Sequence, residues 1–290
     1  NRPKLPGIKG IDKFQGHTFH TSRWDYDYTG GDASGGLSKL KDKRVGVIGT
    51  GATAVQCIPH LGAAAESLFV FQRTPSSVDV RANQVTDTNW VKTLTPGWQK
   101  RRMENFNTLV SGGYEKEDFV QDGWTEIFRN LTGVLPPEGY EAIPKNKLYL
   151  ATELADFEKM EKIRSRVDSL VRDESTAEAL KPYYRQFCKR PCFHDEYLET
   201  YNLPNVTLVD TAGKGVAEVT SRGVIVDGKE YELDCLIFAT GFEVGTSYTR
   251  RSGYEVIGQN GRRLGKKWEK GPTTFHGMHS AEFPNCFFMG

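Results

Sequence analysis

Arg44-Val45-Gly46-Val47-Ile48 runs directly into Gly49-Thr50-Gly51-Ala52-Thr53-Ala54, and this junction constrains the fold more than any other stretch. A short, nearly continuous apolar run reads as a strand buried on both faces, as in a parallel sheet. The two glycines then predict a tight turn, and Ala54 to Leu61 has the small and apolar residues of a packed helix. Pro59 falls inside that helix and is expected to bend it or limit its length. Gly62 ends the run, and Ser67-Leu68-Phe69-Val70-Phe71 supplies the next strand. Strand, glycine turn, helix and strand make a βαβ unit, so the predicted class is α/β.

The turn has the parts of a Rossmann-like dinucleotide site. In Gly49-x-Gly51-x-x-Ala54 the first glycine makes the turn, and the second lets backbone approach a pyrophosphate. The small third residue permits close helix–strand packing. Backbone N–H groups at a helix start face phosphates, so Gly49, Thr50, Gly51, Ala52, Thr53, Ala54, Val55 and Gln56 are the candidate cofactor-binding residues. The bare string also occurs as a plain structural turn; its position between a strand and a small-residue helix favours the ligand reading. An NAD site usually puts Asp or Glu at the end of the second strand. Here that place reads Phe71-Gln72-Arg73-Thr74-Pro75. A guanidinium beside a hydroxyl suits a 2′-phosphate, so Arg73 and Thr74 point to NADP rather than NAD. The plainer reading of Arg73 is a solvated strand end.

Around this unit, residues 1–40 are rich in Gly, Pro and Asp and read as connection and surface loop. Residues from about 81 to 184 read as a helical insertion into a domain spanning 41–240. Its clearest stretch is Asp156 to Leu180, where Phe157, Met160, Ile163, Val167 and Leu170 recur at threes and fours. Strands are expected at Val206–Val209, Val216–Val219, Val224–Val226 and Leu233–Ala239. The middle two form a small antiparallel excursion, and the last closes the sheet. Lys+Arg against Asp+Glu is 38 to 37, so no global field would gather nucleic acid or an anionic membrane. No apolar run approaches membrane-spanning length. Five thinly spread cysteines suit a reducing, cytoplasmic setting, which makes the sequons at Asn130 and Asn205 chance matches.

Upstream of the turn stands Phe14-Gln15-Gly16-His17-Thr18-Phe19-His20-Thr21-Ser22-Arg23-Trp24-Asp25. Taken alone it is a loop with aromatic and imidazole groups. It resembles the fingerprint of Baeyer–Villiger monooxygenases, F-x-G-x-x-x-H-x-x-x-W followed by Pro or Asp, at Phe14, Gly16, His20, Trp24 and Asp25. The resemblance implies that His20, Trp24 and Asp25 belong to an interdomain linker. It also implies that Arg73 and Thr74 clamp the 2′-phosphate of NADPH. In Cys188-Lys189-Arg190-Pro191, Lys189 would assist the cofactor phosphate, and Arg190 would sit over the flavin as the catalytic cation. Ala239-Thr240-Gly241-Phe242 resembles the family's strand end before the chain returns to an FAD domain, a return expected over 241–290. The implied activity uses FAD, NADPH and O₂ to convert a ketone to an ester or lactone.

The competing functions are an N-hydroxylating flavin monooxygenase, disfavoured by Trp24-Asp25, and an isolated NADP-binding module without catalysis. A disulfide reductase would need a CxxC pair, and none occurs. Cys188-x-x-x-Cys192-x-His194 lacks a fourth ligand at suitable spacing, so no metal is expected. No G-x-S-x-G elbow is present, which removes the common hydrolase reading. The family's FAD unit carries its own glycine turn, and no second one is found here. The chain is therefore expected to be part of a longer enzyme and inactive alone.

Overall fold

The computed structural model describes residues 2–132, 144–243 and 246–288. The chain divides into two compact units, residues 7–239 and residues 1–6 with 240–290.

In the larger unit the first elements are β1 (His17–His20) and α1 (Tyr26–Thr29). The βαβ unit follows as β2 (Arg44–Ile48), α2 (Ala52–Ala64) and β3 (Ser67–Gln72). After β4 (Val78–Asp79) come α3 (Thr88–Thr93), α4 (Trp98–Val110), α5 (Gly123–Thr132), α6 (Lys145–Leu170) and α7 (Glu174–Leu180). The chain then forms β5 (Cys192–Phe193), α8 (Tyr197–Thr200) and β6 (Val206–Asp210). Last are β7 (Glu218–Val219), β8 (Gly223–Val226), β9 (Lys229–Glu232) and β10 (Cys235–Phe238).

The main sheet is parallel throughout, in the order β1-β10-β2-β3-β6. Side-chain alternation sorts its two faces. Val45, Val47, Leu68, Val70, Cys235 and Ile237 face one core with Val55, Ile58 and Leu61 of α2. Ile48, Phe71, Leu236 and Phe238 face a second core with Val219, Val224 and Val226 of the antiparallel sheet β7-β8-β9. Both faces are therefore covered, which is why β2 and β10 are apolar at nearly every position. A Cβ on Gly62 would lie 2.8 Å from the Thr200 side chain, so only glycine lets α2 approach α8 this closely.

Two readings of the strands are corrected. Residues 17–20, read as loop, form an edge strand on β10, with Phe19 and His20 both buried. Consequently β10 does not close the sheet but lies inside it, between β1 and β2. The stretch from Asp156 to Leu180 is helical, in two pieces: α6 ends at Leu170, and Asp173 caps α7 by accepting from the Thr176 N–H at 2.7 Å. Of the expected stripe, Met160, Ile163 and Val167 are buried while Phe157 is exposed. Pro59 is accommodated within a continuous α2 of 13 residues. No helix among the described residues is long and apolar enough to cross a membrane.

The smaller unit holds α9 (Tyr248–Ser252) and α10 (Leu264–Lys267). Its two chain segments meet where Pro3 bridges Phe242 and the Lys4 N–H donates to the Gly241 carbonyl at 2.9 Å.

Candidate functional site

Sheet order places the glycine turn. From β2 the chain proceeds through β3 to β6 on one side, while β10 and β1 lie on the other. The carboxyl end of β2 is thus the point where a parallel sheet opens a crevice for ligands. Gly49 stands there with φ +109°, and a Cβ on it would lie 2.7 Å from the Ala239 carbonyl oxygen. Its N–H donates to the Phe71 carbonyl, and the Ala239 N–H donates to the Ile48 carbonyl. Gly51 differs, with ordinary φ of −74° and nothing within 4 Å of its added Cβ. Gly49 is required by protein packing; Gly51 leaves room. Gly51 is the N-cap of α2 and brings no side-chain acceptor, so the first-turn N–H groups of Ala52, Thr53 and Ala54 remain available to an anion. Val55 already donates to the Gly51 carbonyl at 3.0 Å, and the Gln56 amide turns back to the Ala52 carbonyl at 2.9 Å.

Thr50 is buried and joins this turn to the loop after β3. Its hydroxyl donates to the Thr74 carbonyl at 2.9 Å, and the Ser76 hydroxyl donates to the Thr50 carbonyl at 2.6 Å. Arg73 stands exposed at the exit of β3 and makes no ion pair among the described residues. Lys189 reaches the same loop, donating to the carbonyls of Thr74 and Pro75 at 3.2 Å each. Burial, with the Arg73 guanidinium nearby, holds the Lys189 ammonium below its usual value. Two cations thus converge beside an open helix N-terminus, with no carboxylate at Arg73's place. This arrangement favours a polyanion carrying an additional phosphate.

Tyr184 was not singled out by the sequence, yet it organises this corner. Its hydroxyl donates to the Pro75 carbonyl at 3.0 Å and accepts from the Ser77 N–H at 3.0 Å. Its ring lies 5.4 Å from Lys189 Nζ. Burial pushes the phenol up to about 12, so it remains a donor across the physiological range. No spacing rule could have found it, since it stands 109 residues from Pro75.

Arg190 is exposed, and its backbone carbonyl accepts from Cys192 Sγ at 3.5 Å. The structure brings Thr50, Thr74, Lys189 and Tyr184 together. Trp24 and Asp25 form a separate local network. Trp24 Nε1 donates to the Thr29 hydroxyl at 3.0 Å, and the Asp25 carboxylate accepts from the Tyr28 N–H and meets His17 Nε2 at 2.8 Å. His20 Nδ1 accepts from the Ser22 N–H at 3.1 Å. No group of three or more His, Cys, Asp or Glu side chains that could hold a metal ion occurs among the described residues.

A cavity of about 1230 Å³ lies elsewhere, lined by residues 79–84 and parts of α4, α5 and α6. It is an open cleft of mixed charge, and its size alone does not outweigh the convergent backbone and cationic groups at the turn.

No family model matches the chain. Individual relatives do. The chain is 60% identical over 291 residues to neopentalenolactone D synthase of Streptomyces avermitilis, all of it aligning with 49% of that protein. It is 57% identical over 288 residues to Baeyer-Villiger monooxygenase ATR8 of Stachybotrys chlorohalonatus, with 99% of the chain covering 46% of that protein. Among solved structures, polycyclic ketone monooxygenase from Thermothelomyces thermophila superposes with a TM-score of 0.87 at 42% identity, covering 99% of this chain and 47% of that one. OTEMO in complex with FAD and NADP gives a TM-score of 0.74 at 30% identity, over 99% of this chain and 54% of that one. The chain spans about half the length of the curated relatives it matches.

Proposed function

We infer that this chain, which belongs among the Baeyer–Villiger monooxygenases, supplies the NADPH-binding part of an FAD-dependent enzyme that inserts oxygen beside a ketone carbonyl. The reaction consumes the ketone, O₂ and NADPH with a proton, and yields an ester or lactone, NADP⁺ and water. The activity is proposed for a protein of the relatives' length. The observation that carries the reading is the open turn at Gly51 flanked by Arg73 and Lys189, in a chain matched over its whole length by that family.

The residues fit NADPH. Gly49, Thr50 and Gly51 shape the turn, and the N–H groups of Ala52, Thr53 and Ala54 are free to take the pyrophosphate, with Val55 and Gln56 completing the helix start. Arg73 and Thr74 would hold the 2′-phosphate, and Lys189, bonded to the Thr74 carbonyl, would add positive charge there. FAD supplies the redox chemistry by which O₂ is activated. Arg190 is the catalytic cation: a guanidinium stays charged when partly desolvated and stabilises negative charge developing at the substrate oxygen. His20, Trp24 and Asp25 belong to the segment linking the nucleotide domains. All five cysteines are free, which suits the cytoplasm.

Titration of this chain with NADP⁺ and NAD⁺ tests the cofactor assignment. Arg73→Ala is expected to weaken NADP⁺ by about tenfold or more, a charge-assisted phosphate contact being worth roughly 1.5–3 kcal/mol. NAD⁺ binding should barely change. Equal loss for both nucleotides refutes the 2′-phosphate assignment.

A further inference from the structure

Lys189 and Arg190 stand on a short segment between a turn at Gln186–Cys188 and β5. That segment has little regular structure of its own. β5 pairs only with β4, in a two-residue parallel ladder where Cys192 N–H donates to the Ser77 carbonyl at 3.0 Å and His194 N–H to the Asp79 carbonyl at 2.9 Å. Such a ladder is too short to fix a side chain by itself.

The missing restraint comes from α6. Arg166 donates from Nη1 to the Val78 carbonyl and from Nη2 to the His194 carbonyl, each at 3.1 Å. One rigid guanidinium therefore joins β4 to the residue that directly follows β5. Lys159, two turns earlier on the same face of the helix, is buried and pairs with Asp79 at 2.5 Å and Glu126 at 2.9 Å. On the other flank of the segment, Asp156 accepts from the Gln186 N–H at 3.0 Å, and Glu153 pairs with Arg185. Helix α6 thus grips the chain both before and after Lys189-Arg190.

We propose that Arg166 is a positioning residue for Arg190, acting through β4 and β5 and touching neither cofactor nor substrate. The proposal rests on Arg190 being the catalytic cation. A planar fork can satisfy two carbonyls on different segments at once, whereas an ammonium bonds as a compact point, so Arg166→Lys should not substitute.

Hydrogen exchange on this chain tests the clamp directly. In Arg166→Lys and Arg166→Gln, exchange at the Cys192 and His194 amides is expected to accelerate by about tenfold or more, while amides of β2 and β3 keep their rates. Unchanged exchange at those two amides, or acceleration shared equally by β2 and β3, overturns the proposal. The wild-type chain gives a reading that needs no variant: nuclear magnetic resonance couplings across the hydrogen bonds from the Arg166 guanidinium to the Val78 and His194 carbonyl carbons. Their absence also overturns it. In a protein of the relatives' length, Lys189 keeps its own bonds to the Thr74 and Pro75 carbonyls, so Arg166→Lys should change the KM for NADPH by about threefold or less while ester formed per NADPH consumed falls by about tenfold. If Arg190→Ala leaves that yield intact, the catalytic reading of Arg190 fails, while the exchange result still reports on the clamp.

Discussion

Gly49 and Gly51, two residues apart, carry opposite physical demands, and their alanine variants should separate fold from ligand. Gly49→Ala meets both a positive φ and the Ala239 carbonyl at 2.7 Å. It is expected to lower stability by about 2–4 kcal/mol in denaturant melts, backbone strain and overpacking each costing about 1–3 kcal/mol. Gly51→Ala has ordinary φ and open space. It should leave the melt within about 0.5 kcal/mol, yet weaken NADP⁺ because the methyl occupies the approach to the pyrophosphate. Equal nucleotide affinity in Gly51→Ala and the parent would refute that approach. Arg190 calls for a different measurement. The residue is exposed and has no ion pair among the described residues, so its removal leaves no buried partner charge behind. In a protein of the relatives' length, Arg190→Ala should keep NADPH oxidation while ester formation falls by about 100-fold or more, the reduced oxygen ending as hydrogen peroxide. Parallel assays of ester, NADPH and peroxide decide it: near-normal ester yield removes Arg190 from catalysis.

The elements differ in how far the sequence reveals them, and the difference follows from burial. β2, β3 and β10 are covered on both faces, so their apolar runs are plain in the sequence. β1 lies at the sheet edge as His17-Thr18-Phe19-His20, and only its second half is buried, so it reads as loop. β9, Lys229-Glu230-Tyr231-Glu232, pairs on one side only and alternates charge with Tyr231. The Gly49–Ala54 turn and Arg73 are legible because their chemistry is local. Lys159, Arg166 and Tyr184 are not, since their partners lie 28 to 109 residues away. At the strand starts, Arg44 joins β2 to Asp234, just before β10. Its backbone N–H donates to the Asp234 carboxylate at 2.8 Å, and its guanidinium at 3.0 and 3.1 Å. Bonding to Arg44 holds the Asp234 carboxyl below its ordinary value. A depressed carboxylate stabilises the folded chain above about pH 3.9, its unfolded value, and this is lost as pH falls through the lower folded value. Asp234→Asn should therefore flatten the acid limb of stability against pH. The loss at neutral pH should be about 1 kcal/mol, because the partly exposed pair is screened. An acid limb identical to the parent's would remove this pair from acid unfolding.

At the scale of the whole molecule, one nucleotide turn limits what this chain can hold by itself. A second dinucleotide needs its own glycine approach and helix N-terminus, because the pyrophosphate of each must lie against backbone N–H groups. The sequence contains a single Gly-x-Gly-x-x-Ala turn, at Gly49–Ala54, and no Gly-x-Gly-x-x-Gly. That one turn is bounded by Arg73 and Lys189, whose charge suits a 2′-phosphate that NADP carries and FAD lacks. Of the two units, the turn belongs to residues 7–239, and the smaller unit contributes no comparable strand–turn–helix among its described residues. These 290 residues, purified, are therefore expected to bind NADP⁺ and to show no visible flavin absorbance. NADP⁺ should raise the melting temperature in a concentration-dependent way, because a ligand that binds only the folded state stabilises it by mass action. FAD added at the same concentrations should not. Stoichiometric FAD in the purified chain, or an equal rise in melting temperature with FAD, would mean that the Gly49–Ala54 turn accepts the flavin nucleotide, and the assignment of Arg73 and Lys189 to NADPH would fall with it.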